Sequence, residues 1–174
     1  MIILLTGGSA CGKSHYAEAL CLHLGAPRYY IAAMMPYGDG SEQKIAKHRT
    51  MRAGKGFETI ERYTDVGSLV LPRRGTVLLE CVCNLTANEM FDSSGNMRDP
   101  YDDVVDGIDQ LATQCENLII VTNDVGSDSR QYTPETRKYV EVLGRINAAL
   151  AQKADHVCEL VCGIPIVLKG EKLI

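Results

Sequence analysis

The chain has no tryptophan and only two phenylalanines among its 174 residues. Flat aromatic platforms on which nucleic-acid bases stack are therefore scarce. Nor is there an excess of positive charge. The net charge of −4 excludes a global pull toward nucleic acid or an anionic membrane surface. No apolar run approaches the roughly eighteen residues of a membrane span. The apolar stretch from Met1 to Leu5 is too short for a signal peptide. Cysteine is not scarce, at seven residues, but the paired C-x₂-C spacing of zinc sites is missing from Cys81-Val82-Cys83 and from Cys158 and Cys162. An odd count without a small cysteine-framed scaffold argues against disulfides. Free thiols in a reducing cytoplasm are the expectation. Repeats, low-complexity tracts and linkers are also lacking, so residues 1–174 are expected to form one domain.

What is present suits a globular core: hydrophobic residues make up 45% and charged residues 23%. Apolar runs of strand length alternate with amphipathic helical patterns. Strands are expected at 2–6, 29–33, 76–81, 117–122 and 156–161, with 165–169 as a candidate edge hairpin strand. Helices are expected at 13–24, 41–53, 101–116 and 135–152. Val104, Ile108, Leu111 and Cys115 form one apolar stripe, and Tyr139, Leu143, Ile146 and Leu150 another. Thr133-Pro134-Glu135 reads as a capped helix start. The polar stretch 91–100 reads as a surface loop. The expected fold is α/β: a phosphate-loop (RecA-like), mainly parallel sheet with helices on both faces. In such sheets ligands bind beyond the carboxyl ends of the strands. That rule groups the 7–14 loop, the segment after Ile31, Glu80 and Asn123-Asp124.

The first of these carries the clearest chemistry. Gly7-Gly8-Ser9-Ala10-Cys11-Gly12-Lys13-Ser14 fits G-x-x-x-x-G-K-[ST] and lies between an apolar strand and a helix. Its glycines let backbone N–H groups turn inward, and the helix N-terminus adds positive potential, so an anion is held. Lys13 would reach the β- and γ-phosphates and Ser14 would hold Mg²⁺. The chain is thus expected to bind a nucleoside triphosphate.

Three further segments are open to two readings each. Glu80 ends the apolar run Val77-Leu78-Leu79, either as a carboxylate that helps hold Mg²⁺ or as a solvated strand end; Asp is more usual there. Ile119 to Gly126 is either a site element or an ordinary strand exit. It lacks the N-K-x-D guanine signature, and Asp92-Ser93-Ser94-Gly95 is too short a D-x-x-G fit to carry weight. On a helix, Lys44, His48 and Arg52 share one face, flanked by Lys47 and Arg49. That face is either plain solvated surface or a nucleotide-facing helix whose cations neutralise phosphates. Neighbouring cations disfavour imidazolium, which would leave His48 neutral and able to attack phosphorus. His15, His23 and His156 receive structural or solvent-exposed readings.

Taken in order, these segments resemble the bifunctional adenosylcobinamide kinase/adenosylcobinamide-phosphate guanylyltransferase family of cobalamin biosynthesis. The likeness runs from Ile3 to Ser14 through Tyr30-Ile31-Ala32-Ala33, Ile45-Ala46-Lys47-His48 with Arg52, and Phe57-Glu58-Thr59-Ile60-Glu61. It continues through Leu78-Leu79-Glu80-Cys81 with Leu85, Thr86 and Asn88, then Val121 to Gly126 and Gly144-Arg145-Ile146-Asn147. The segment Ala154-Asp155 to Lys169-Gly170 completes it. The resemblance implies GTP-dependent phosphorylation of adenosylcobinamide, with ATP as the other candidate phosphate donor. It then implies GMP transfer from GTP to the product, giving adenosylcobinamide-GDP and pyrophosphate. A covalent GMP–histidine at His48 and catalytic Lys13 are implied. So are nucleotide contacts from Gly7, Gly8, Ser9, Ala10, Cys11, Gly12, Lys13 and Ser14, from Ala32, Ala33 and Met34, from Arg49, Thr50, Met51 and Arg52, and from Glu61 and Glu80. Mg²⁺ would sit on Ser14 and Glu80. A corrinoid is the implied partner, without nucleic acid, in a homo-oligomer that the family makes a trimer with sites between subunits.

The chain departs from the family in three places. Asn123-Asp124-Val125-Gly126 replaces Asn-Glu-Val-Gly, the loop 127–133 is longer, and Phe57 stands for a tryptophan. Two other readings compete: a single-step phosphate-loop kinase of a small metabolite, and a nucleotide switch with slow hydrolysis. The absent N-K-x-D and the basic His48 segment count against the switch.

Overall fold

The computed structural model describes the chain except residues 37–42, 44, 47–49, 51, 92, 93, 95 and 127–130. Strands are β1 (Ile2–Thr6), β2 (Arg28–Ala32), β3 (Phe57–Glu61), β4 (Thr76–Leu79), β5 (Asn117–Val121), β6 (His156–Val161) and β7 (Ile164–Lys169). The helices outside the partly described 43–52 stretch are α1 (Lys13–Leu24), α2 (Val82–Met90), α3 (Tyr101–Gln114) and α4 (Pro134–Lys153), with a 3₁₀ turn at Val66–Ser68. Of the expected helix 41–53, Gln43, Ile45, Ala46, Thr50 and Arg52 are helical; the remaining positions up to 51 lie outside the described residues.

All seven strands join one sheet in the order β3-β2-β4-β5-β1-β6-β7. Every pairing is parallel except β6 with β7, the antiparallel edge pair expected from the sequence. β5 lies between the phosphate-loop strand β1 and β4, the strand that ends before Glu80. Register keeps these exits level, with Leu5 opposite Val121, Leu79 opposite Ile120 and Ile31 opposite Leu79.

Alternation along the strands divides the core into two layers. Leu4, Ile31, Leu79 and Ile120 face α2, α3 and α4, whose Leu85, Ile108, Leu111, Leu143 and Ile146 are buried against them. Ile3, Leu5, Tyr30, Leu78 and Ile119 face α1 through Ala17, Leu20 and Cys21. Each fully buried Leu or Ile contributes about 1.5–3 kcal/mol of burial, so both layers hold the sheet. α4 begins as expected, with Thr133 capping through a hydrogen bond from the Thr136 amide at 3.3 Å and Pro134 in the first turn.

Two elements go beyond the expected list. β3 is an edge strand whose residues are half-buried or exposed, so its apolar signal is faint. α2 follows Glu80 and Cys81 at once, and its N-cap Cys81 makes no side-chain cap. The loop 91–100 is closed by a bridge between Phe91 and Met97 and by the Arg98 amide donating to Met90.

Candidate active site

The phosphate loop is shaped by backbone that most side chains resist. Gly7 has φ +136°, and a Cβ there would lie 2.6 Å from the Leu160 carbonyl oxygen. Gly12, at φ +103°, is the N-cap of α1 and offers no side-chain acceptor. The first-turn N–H groups of α1 are thus uncapped by a side chain, as an anion site requires. The loop is braced from behind. The Gly163 amide, in the turn joining β6 to β7, donates to the Cys11 carbonyl at 2.8 Å. The Asp124 amide, beyond β5, donates to the Gly7 carbonyl at 3.2 Å. Lys13 is buried, and its Nζ donates to the carbonyls of Gly7 at 2.8 Å and Gly8 at 2.6 Å. The ammonium is therefore tethered to the loop itself.

A cavity of about 460 Å³ opens on this loop, lined by Ser9 to Ser14 and, across from them, by Met34, Glu80 and Asn123. A second cavity of about 540 Å³ adjoins it and shares Met34 and Glu80; Tyr30, Ala32, Arg52 and Glu61 also line it. Arg52 is only 7% exposed, and its guanidinium lies 3.5 Å from the centre of the Tyr30 ring. Its Nε and Nη1 have no hydrogen-bond partner among the described residues. Buried donors without acceptors are costly, so this guanidinium is suited to an anionic group entering the cavity. Burial, then the charge of the hydrogen-bonded Glu80, push the Tyr30 phenol far above its usual range. Tyr30 is therefore a neutral donor.

The walls are set by hydrogen bonds from neighbouring elements. The Glu80 amide donates to the Ile31 carbonyl at 3.1 Å, which holds the β4 exit against β2. Asn88 of α2 donates to the carbonyls of Ala33 at 2.8 Å and Tyr63 at 2.9 Å, fixing the segment after β2 to the one after β3. The Cys83 thiol is lowered, chiefly by its hydrogen bond with Cys81 and further by the Asn123 amide, which donates to it at 3.4 Å.

Of the expected site residues, Ser9, Ala10, Cys11, Gly12, Lys13, Ser14, Met34 and Glu80 gather at the first cavity. Ala32, Arg52 and Glu61 join Met34 and Glu80 at the second. Gly7 and Gly8 serve through their carbonyls on Lys13. Ala33 is buried and accepts from Asn88, and Thr50 is exposed with its hydroxyl donating to Ala46 at 3.0 Å. His48, Arg49 and Met51 lie outside the described residues. Asn123, grouped with the loop from the strand order, lines the first cavity, whereas Tyr30, Thr59, Tyr63 and Asn84 line the cavities and were not expected there. For Tyr30 and Thr59 the period-2 alternation with Ala32 and Glu61 was the available signal.

Among the described residues, no three His, Cys, Asp or Glu side chains converge on a metal position. Mg²⁺ commonly takes only one or two protein groups beside phosphates and water. Ser14 and Glu80 facing one cavity fit that demand.

The chain is similar to several known proteins. The bifunctional adenosylcobalamin biosynthesis protein CobU of Escherichia coli (strain K12) is 31% identical over 97% of this chain and 100% of its own length. CobU of Salmonella typhimurium is 31% identical with the same coverage. CobP of Pseudomonas aeruginosa is 28% identical over 98% of each chain. A chain from the structure of a DnaB-like replicative helicase and its interactions with primase aligns with TM-score 0.45 and 10% identity, over 91% of this chain and 46% of that one. Residues 3–168 match the family described as cobinamide kinase / cobinamide phosphate guanyltransferase. With that span and those relatives, the chain belongs to the cobinamide kinase/cobinamide phosphate guanyltransferase family.

Proposed function

We propose that this protein phosphorylates adenosylcobinamide and then transfers GMP from GTP to the resulting phosphate, giving adenosylcobinamide-GDP. The observation that carries the reading is the meeting of the two cavities at Met34 and Glu80. A triphosphate gripped by the loop can extend toward the buried, unpaired donors of Arg52. In the first reaction Lys13 and the loop amides neutralise the β- and γ-phosphates while the γ-phosphoryl group passes to the corrinoid hydroxyl. Either GTP or ATP suits this step. In the second, a neutral His48 nitrogen bonds to the α-phosphorus as the bond to pyrophosphate breaks. The corrinoid phosphate oxygen then takes the GMP and frees the imidazole. The role of His48 rests on the resemblance and on its place four residues before Arg52. Ser14 and Glu80 would hold Mg²⁺, which supplies charge neutralisation at the phosphates when bound.

Residues 1–174 are read as one nucleotide-binding unit, supported by the single continuous sheet. We infer a homotrimer from the resemblance and a cytoplasmic setting from the free thiols. No helix among the described residues is long and apolar enough to cross a membrane.

Incubation with α-labelled GTP tests the proposal. The native protein should acquire an acid-labile GMP label, and cobinamide phosphate should discharge it. His48→Ala should bind GTP but carry no label. Label persisting in that variant would refute the nucleophile. Phosphorylation of cobinamide without any label on the native protein would leave a single-step kinase.

A further inference from the structure

Glu18 lies one turn and a half into α1 and is 1% exposed, among the apolar side chains of the α1 layer. Its Oε2 meets Lys55 Nζ at 2.6 Å, while its Oε1 has no hydrogen-bond partner among the described residues. A buried carboxylate is expensive, and an apolar residue of similar size would pack there at least as stably. Stability alone therefore does not account for the pair.

Its position does. Lys55 sits in the turn between Arg52 and β3, flanked by Gly54 at φ +75° and Gly56 at φ +70°. The Lys55 amide donates to the Arg52 carbonyl at 3.0 Å, and the Ala53 amide to the Thr50 carbonyl at 3.2 Å. Arg28 adds a second tie, from Nη1 to the Lys55 carbonyl at 3.3 Å and from Nε to the Cys21 carbonyl of α1 at 3.0 Å. The turn that ends the basic segment is thus fastened to the same helix that begins at Lys13. Arg52 stacks on Tyr30 immediately before that turn.

We propose that the ion pair between buried Glu18 and half-buried Lys55 is a positioning device for guanylyl transfer, fixing the Arg52 end of the basic segment at a set distance from the phosphate loop through α1. This rests on the two-step reading above. Neither residue lines the two cavities, so the pair acts through Arg52. In the two-step reading phosphoryl transfer takes place at the loop, so at saturating GTP the step at the α-phosphorus should feel the change most.

The test uses the full chain at saturating GTP and follows GMP–protein formation and cobinamide phosphorylation separately. Glu18→Gln, which keeps the shape, should slow GMP–protein formation about tenfold to a hundredfold, the scale set by small misplacements of reacting groups. The phosphorylation rate at saturating GTP should be unchanged, and GTP affinity should fall less than in Arg52→Met. Lys55→Arg should retain near-native guanylylation. The double variant Glu18→Leu/Lys55→Met removes the buried charge and should melt no lower than the native protein, yet remain slow in guanylylation. Parallel loss of both reactions, native rates in Glu18→Gln, or full recovery in the folded double variant would each overturn the proposal. If the native protein forms no GMP adduct, the two-step reading itself fails and this inference falls with it.

Discussion

Arg52 and Lys13 are both cations held inside protein, but they differ in what satisfies them. Lys13 spends its hydrogen bonds on the loop carbonyls of Gly7 and Gly8. Arg52 has an aromatic face beneath it and two nitrogens with no described acceptor. Replacing Arg52 with Met removes a cation–π contact worth about 0.5–2 kcal/mol and also unpaired donors that cost about 1–3 kcal/mol. The two nearly cancel. Arg52→Met should leave the melting temperature of the nucleotide-free protein almost unchanged but weaken GTP by about tenfold to a hundredfold, the loss of one charge-assisted hydrogen bond. Thermal melts with and without GTP check this, and a large drop without GTP would contradict it.

At the scale of elements, what could be read from the chain depended on how contiguous each signal was. β1, α1 and β6 lie where periodicity put them because each carries its own pattern over a short window. The phosphate loop was legible for the same reason, since all eight residues are consecutive. β3 was not: of its five residues only Phe57 and Ile60 are half-buried, so alternation is masked by Glu58 and Glu61. α2 was hidden because its N-cap, Cys81, makes no side-chain cap that would mark a helix start. The second cavity was hidden more deeply. Tyr30, Arg52 and Glu61 come from three segments that only sheet order brings together. By contrast α4 announced itself through its cap. Thr133→Ala should cost about 1 kcal/mol, the usual value of a lost N-cap, with the denaturant midpoint falling and the slope retained.

Across the whole molecule, the seven thiols record the layering. All are free. Cys21 on the buried face of α1 and Cys115 after α3 are both pushed up to about 12 by burial, whereas Cys162 in the last turn is exposed. The raised values keep Cys21 and Cys115 as unreactive thiols well into the alkaline range, because only thiolate attacks. Iodoacetamide at mildly alkaline pH should label exposed Cys162 ahead of Cys83, whose lowered thiol is buried, and Cys21 and Cys115 only after unfolding. Mass mapping of the labelled peptides reads this out; early labelling of Cys21 would mean the α1 layer opens in the native state.

The turn between β6 and β7 leans on the phosphate loop, with Gly163 bonded to Cys11 and lying 3.0 Å from where a Gly12 Cβ would be. Residues translated at opposite ends of the message therefore finish one another. A polypeptide ending at residue 150 owns every glycine and the lysine of the motif, and Asp124 behind them, but lacks the Gly163 buttress. Released chains truncated at that length should not be retained on immobilised GTP, whereas released chains extended through residue 170 should be.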